Sequence, residues 1–97
     1  DPPIIDSGEF LHDPEGHLRA LCAHLDLDFD PAMLHWPAGP RDTDGIWAPH
    51  WYDTVWASTG FGPPPAEPPV LEGEAADVAA CCRASYLRLF ERRLRPG

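Results

Sequence analysis

The sequence predicts a mostly helical segment of an α/β protein, carrying one strand whose sheet partners lie outside these 97 residues. Three observations carry that prediction. A short β-branched run opens the chain, several stretches place apolar residues at helical spacing, and thirteen prolines with eight glycines break up the remainder.

Residues 3–7, Pro-Ile-Ile-Asp-Ser, are apolar and β-branched before a turn at Gly8, which predicts a buried strand because Ile4 and Ile5 are consecutive rather than alternating. Asp13-Pro14-Glu15 follows as N-cap, first-turn proline and acidic first turn. Leu18, Leu21, Cys22 and Leu25 then recur on one face, so a helix is expected over about residues 14–25. Asp30-Pro31 repeats the start signal for a short helix through Leu34, stopped by Pro37 and Gly39. Of the acids between them, Asp26 to Asp30, two read as the end of one helix and the cap of the next.

Residues 39–45 have no periodicity and read as a loop. Trp47 leads into a second helical pattern, with Pro49 in its first turn and Trp51, Tyr52, Val55 and Trp56 on one face, closed by Ser58-Thr59-Gly60. Residues 60–70 form a proline-rich linker of extended character. A long amphipathic helix is expected from about Glu74 to Leu94, with Val78, Cys82, Tyr86, Leu89 and Phe90 on its apolar side. The 97 residues thus form a single segment, the C-terminal portion of its domain. One strand cannot satisfy its own backbone, so its neighbours are expected upstream of Asp1.

Hydrophobic residues make up 43% of the chain and aromatic ones 10%, a composition that packs rather than a solvated tail. Sixteen acids face seven arginines and no lysine, for a formal charge of −9, which disfavours nucleic acid and anionic membranes as partners. The apolar stretches are too short to span a bilayer, and the first residues lack the layout of a signal peptide. Cys22, Cys81 and Cys82 are odd in number and lack C-x-x-C spacing, so they read as reduced, buried thiols of a cytoplasmic protein. Five of the seven arginines fall after residue 82, a basic strip that is expected to pair with the protein's own carboxylates.

The chemistry-bearing residues narrow the function. His17 and His24 lie nearly two helical turns apart, too far to share a metal ion, so they are expected as surface or hydrogen-bonding histidines and no metal is expected. No serine or cysteine sits in a nucleophile frame. Without lysine there is no G-x-x-x-x-G-K-[ST] phosphate loop, and the prolines after Gly60-Phe61-Gly62 remove amide donors. What remains is Arg41, in a loop that ends at Gly45 and Trp47. An arginine beside a glycine that frees backbone amides, with an aromatic ring nearby, suits a phosphate or the edge of a nucleotide.

Several blocks in order resemble one family: Asp6-Ser7-Gly8, residues 13–22, residues 29–34, Trp36-Pro37-Ala38-Gly39-Pro40, residues 44–52 and Ser58-Thr59-Gly60-Phe61. Together they look like the C-terminal third of bacterial sulfotransferase-family proteins. The resemblance implies a P-loop sulfotransferase-like fold, a parallel sheet flanked by helices, with 3′-phosphoadenosine 5′-phosphosulfate as sulfuryl donor. It implies transfer to a hydroxyl or amine of a small-molecule acceptor. It also makes Arg41, Gly45 and Trp47 the donor-binding residues, matching a late basic and glycine-containing loop that holds the 3′-phosphate; Ala48 stands where lysine is usual. The family's phosphosulfate loop and catalytic lysine and histidine precede this region, so the segment is expected to be inactive alone. It would rely on an upstream sheet of the same protein or on a partner chain. Two alternatives stay open: a noncatalytic interaction module built on the tryptophan-rich stretch 36–56, and another P-loop transferase such as a kinase.

Overall fold

Aspartate caps set the first three helix starts in the computed structural model, which describes residues 1–96. The Asp6 carboxylate accepts from the Glu9 N–H (3.0 Å) and opens α1 (Ser7–Phe10). Asp13 accepts from the Gly16 N–H (3.0 Å) and opens α2 (Pro14–His24), as its Asp-Pro-Glu signature predicts. Asp30 accepts from Ala32 N–H (2.9 Å) at a 3-10 turn, Pro31–Met33. The end of α2 is equally specified. Asp26 takes φ 58°, Leu27 N–H reaches Cys22 O at 2.8 Å and Asp26 N–H reaches Ala23 O at 3.3 Å, the paired bonds that close a helix through a left-handed residue. An aspartate tolerates that conformation better than most side chains other than glycine.

Roughly half of the chain is helical. After α2 come a second 3-10 turn, Asp42–Asp44, then α3 (Ala48–Trp51), α4 (Asp53–Ala57) and the long α5 (Gly73–Glu91). The chain divides into two compact units, one of residues 1–29 with the chain from Pro63 onward, the other of residues 30–62.

In the first unit the expected strand over residues 3–7 is not formed. Ser7 already belongs to α1, and no ladder partner for Ile4 and Ile5 exists among the described residues. A strand exists only through its neighbour's hydrogen bonds, and here the Ile4 carbonyl accepts from Leu94 N–H (2.7 Å) instead. His17 and Cys22, one α2 turn and a residue apart, are buried. His17 donates through Nδ1 to Asp13 O (2.8 Å) and packs against the Phe10 ring, 5.7 Å between centroids. It is a hydrogen-bonding core histidine. Cys81 and Cys82 differ from expectation: both are exposed, because the face of α5 that carries Val78, Cys82, Tyr86 and Leu89 meets no covering layer among the described residues.

Of the five arginines after residue 82, only Arg92 and Arg93 have carboxylate partners among the described residues, so the expected pairing holds for part of the strip. Arg93 grips Glu9 with Nε 2.7 and 2.9 Å from the two carboxylate oxygens, and its guanidinium lies 3.7 Å from the centroid of the Phe90 ring. Arg92 reaches Asp1 at 3.5 Å. One turn back, the Tyr86 hydroxyl donates to Asp6 Oδ1 (2.7 Å). That bond and the Glu9 N–H hold the Asp6 carboxyl below the usual carboxylate range, while the same bond raises the Tyr86 phenol.

The two shifts fix a pH signature. A depressed carboxyl contributes stability above its unfolded value that is lost as pH falls through its folded one, and a raised phenol contributes below about pH 10 and is lost as pH rises further. Tyr86→Phe is therefore expected to lower the melting temperature most between about pH 5 and pH 9, with the difference shrinking at both extremes. Thermal melts of the two proteins across pH measure this; a difference that stays constant down to about pH 2 would show that the bond is not coupled to folding.

In the second unit the chain folds back on itself. His35 and Gly60 form an isolated antiparallel bridge, Trp36 N–H donates to Thr59 O (3.0 Å), and Gly39 N–H donates to Trp56 O (2.8 Å). A side chain at Gly60 would stand 3.1 Å from Leu34 O, a tight approach that the neighbouring backbone would have to relieve by a few tenths of an ångström. Trp36 is fixed on both sides, by its Nε1 bond to Ser58 Oγ (2.9 Å) and an edge contact with Phe61 at 5.3 Å. The single helix expected over residues 49–57 is two short ones. Tyr52 ends α3, and the Trp56 N–H then bonds back to Tyr52 O (2.7 Å) as α4 begins anew.

Candidate functional site

Arg41, Gly45 and Trp47 lie in one loop of the second unit, on and beside the 3-10 turn Asp42–Asp44. Asp44 organises it. Its Oδ2 accepts from Arg41 N–H (2.7 Å) and from Trp56 Nε1 (2.8 Å), and its own N–H returns to Arg41 O (3.1 Å). Those donors, the Arg41 amide first and the Trp56 indole second, hold the Asp44 carboxyl below its ordinary range, so it is ionised at neutral pH. The spacing that makes this clasp, a carboxylate three residues after the arginine, is a local capping signal readable in Arg41-Asp42-Thr43-Asp44. Its second donor, Trp56, is twelve residues downstream and gives no sequence signal.

The Arg41 guanidinium donates through Nη2 to Pro37 O (2.9 Å), which aims the side chain while its remaining N–H groups stay in solvent. Gly45 has φ 88°, a conformation that glycine takes without strain, and open space where a side chain would begin. The backbone then turns outward, leaving Ile46 86% and Trp47 69% exposed. Trp47 packs only loosely on the His50 ring, 6.0 Å between centroids, and Trp51 is 76% exposed. Ala48 points the other way and is buried. The loop therefore offers a forked cation, a glycine-bent backbone and a free indole face within one short stretch of chain.

These groups fit one edge of an anionic nucleotide. Arginine matches phosphate oxygens two at a time, an exposed tryptophan stacks on a base, and the nearest carboxylate, Asp44, already has its Oδ2 engaged by two protein donors. Asp42 remains as an opposing charge. Among the described residues no cluster of three or more histidine, cysteine or acidic side chains forms a metal site, and no helix of the described residues is long and apolar enough to cross a membrane.

The chain is similar to branched-chain-amino-acid aminotransferase-like protein 2 of Arabidopsis thaliana, 44% identical over 85 residues, which is 88% of this chain and 15% of that protein. It is also similar to branched-chain-amino-acid aminotransferase-like protein 1 of the same plant, 49% identical over 67 residues, 69% of this chain and 12% of that one. The chain thus spans under a sixth of the length of the curated relatives it matches. No solved structure matches it. The sulfotransferase domain family matches residues 2–90, a span that takes in all of the second unit, most of the first and the whole Arg41–Trp47 loop, and the chain belongs to that family.

Proposed function

We propose that this chain forms the donor-side edge of a sulfotransferase that moves a sulfuryl group from 3′-phosphoadenosine 5′-phosphosulfate to a hydroxyl or amine of a small-molecule acceptor. The observation that carries the proposal is the Arg41–Trp47 loop, a clasped arginine, an unstrained glycine bend and an exposed indole, inside a sulfotransferase-family segment. When bound, the donor supplies an activated sulfuryl group on a phosphate leaving group. This chain's residues would bind and orient its nucleotide end: Arg41 through its free N–H groups, Gly45 by letting the backbone approach, and Trp47 by covering a ring.

In this reading the fold is completed as a P-loop α/β domain, in a cytoplasmic protein, by a parallel sheet that an upstream part of the same protein or a partner chain provides. The uncovered face of α5 and the unpartnered Ile4-Ile5 run are what such a layer would cover. Acid–base and phosphate-loop groups would come with it, since these 97 residues hold no lysine. The same absence argues against placing aminotransferase chemistry, which works through a lysine Schiff base, in this segment.

In the full-length protein, Arg41→Ala is expected to weaken calorimetric binding of 3′-phosphoadenosine 5′-phosphate by about tenfold, the worth of a charge-assisted hydrogen bond. The 97-residue segment alone is expected to show no donor-dependent sulfation in the same assay series. Unchanged affinity in the variant would favour a second reading, a noncatalytic docking surface. Its support is the exposure of Ile46, Trp47 and Trp51, large apolar side chains of the kind that anchor interfaces.

A further inference from the structure

Two clefts in the first unit share His24, Leu94 and Arg95 as walls, one of about 510 Å³ and one of about 840 Å³. Arg95 differs from its neighbours on the basic strip. Arg92 and Arg93 each have a carboxylate partner, whereas Arg95 has no ion pair or hydrogen bond among the described residues. Its position is nonetheless fixed from the adjacent residue, because Leu94 N–H is bonded to Ile4 O (2.7 Å) and Arg93 is locked to Glu9 and Phe90.

The smaller cleft is lined by the basic residues Arg92, Arg93, Arg95 and His24 and by the apolar Pro3, Ile4 and Leu94. Two acids also border it, Asp1 and Glu91. Asp1 is tied to Arg92 only across 3.5 Å with its side chain 91% in solvent, a pair that water screens and a competing anion displaces at little cost. A cavity of this size is within the range of small-ligand sites. Arginine forks over an apolar wall suit a tetrahedral oxyanion better than a single carboxylate, since two forks can each take two oxygens.

We propose that this cleft binds a tetrahedral oxyanion of the phosphate type, free or at the end of a small organic monoester, through Arg95, Arg92 and His24. None of its residues belongs to the Arg41–Trp47 loop, but Ile4 belongs to the run that the proposed upstream layer covers, so the site rests on that layer leaving Arg92, Arg95 and His24 accessible. Titration of the full-length protein with phenyl phosphate is expected to give saturable calorimetric binding that Arg95→Ala weakens about tenfold or more and that Arg83→Ala, at an exposed position of the same basic strip away from the cleft, leaves within about twofold. Arg95→Glu, which places a like charge at the same exposed position, is expected to abolish it. Inorganic phosphate binding as tightly as phenyl phosphate identifies the free ion as the ligand, and weaker binding identifies an ester whose ring lies on Pro3, Ile4 and Leu94. Absence of saturable binding, parent-like affinity in Arg95→Ala, or loss of binding in Arg83→Ala would each overturn the proposal.

Discussion

Replacing Arg93 by alanine is expected to destabilise the first unit by about 2–3 kcal/mol, among the larger single-residue effects in the chain. The side chain is only 16% exposed and its partner Glu9 34%, so the pair is partly shielded rather than a surface ion pair of negligible worth. Four interactions leave together: two hydrogen bonds to Glu9, one from Nη1 to Phe90 O (2.8 Å), and the guanidinium stacked on the Phe90 ring. Removal also leaves the Glu9 carboxylate half-buried without its cation. Arg93→Met, which keeps the stem on Phe90 but not the charge, is expected to recover part of the loss. Urea unfolding followed by circular dichroism measures both, and a loss below about 0.5 kcal/mol for Arg93→Ala would reduce the clamp to a surface contact.

Ala48→Lys is expected to cost the second unit about 2 kcal/mol and to leave donor affinity no better. The sulfotransferase resemblance implies a lysine at this place, which makes the substitution an obvious attempt to complete the proposed phosphate contacts. The structure turns position 48 inward instead. Ala48 is 2% exposed, its N–H faces Gly45 O at 3.4 Å, and its carbonyl accepts from Tyr52 N–H at 2.9 Å. A four-carbon ammonium chain there has to push through packed atoms to reach water. Ala48→Ser, nearly the same size, is expected to stay within about 1 kcal/mol. Tryptophan fluorescence in a denaturant series follows this unit, and an Ala48→Lys variant as stable as the parent with tighter nucleotide binding would reverse the assignment of this face.

The local signals were legible in the sequence and the long-range ones were not. Asp13 and Asp30 announce helix starts because a cap acts within three residues, and the spacing of Leu18, Leu21 and Cys22 carries α2. α5 begins and ends close to its expected limits for the same reason. The strand at Ile4-Ile5 failed because β-propensity reports a liking for a sheet and not the presence of one. The exposure of Cys81 and Cys82 was missed likewise: periodicity marks an apolar side of a helix but not whether anything lies against it. α1 escaped notice because four residues, one of them Gly8, leave no periodic pattern to read. At the site, Arg41, Gly45 and Trp47 were singled out by residue type and do share one loop. Asp44, the group that shapes that loop, was not singled out: its bond to the Arg41 amide is local, but its bond to Trp56 depends on how the chain returns.

That return has an architectural consequence. Because His35 and Gly60 meet as antiparallel neighbours, the segments entering and leaving the intervening stretch run side by side at the spacing of a hairpin. The stretch between them, the Arg41–Trp47 loop and the tryptophans included, is closed at its base by this antiparallel bridge. Such a piece is a cassette: it can be transplanted onto the tip of an unrelated hairpin in place of the native turn, carrying Arg41 and Trp47 with it and asking only that the host match one cross-strand register.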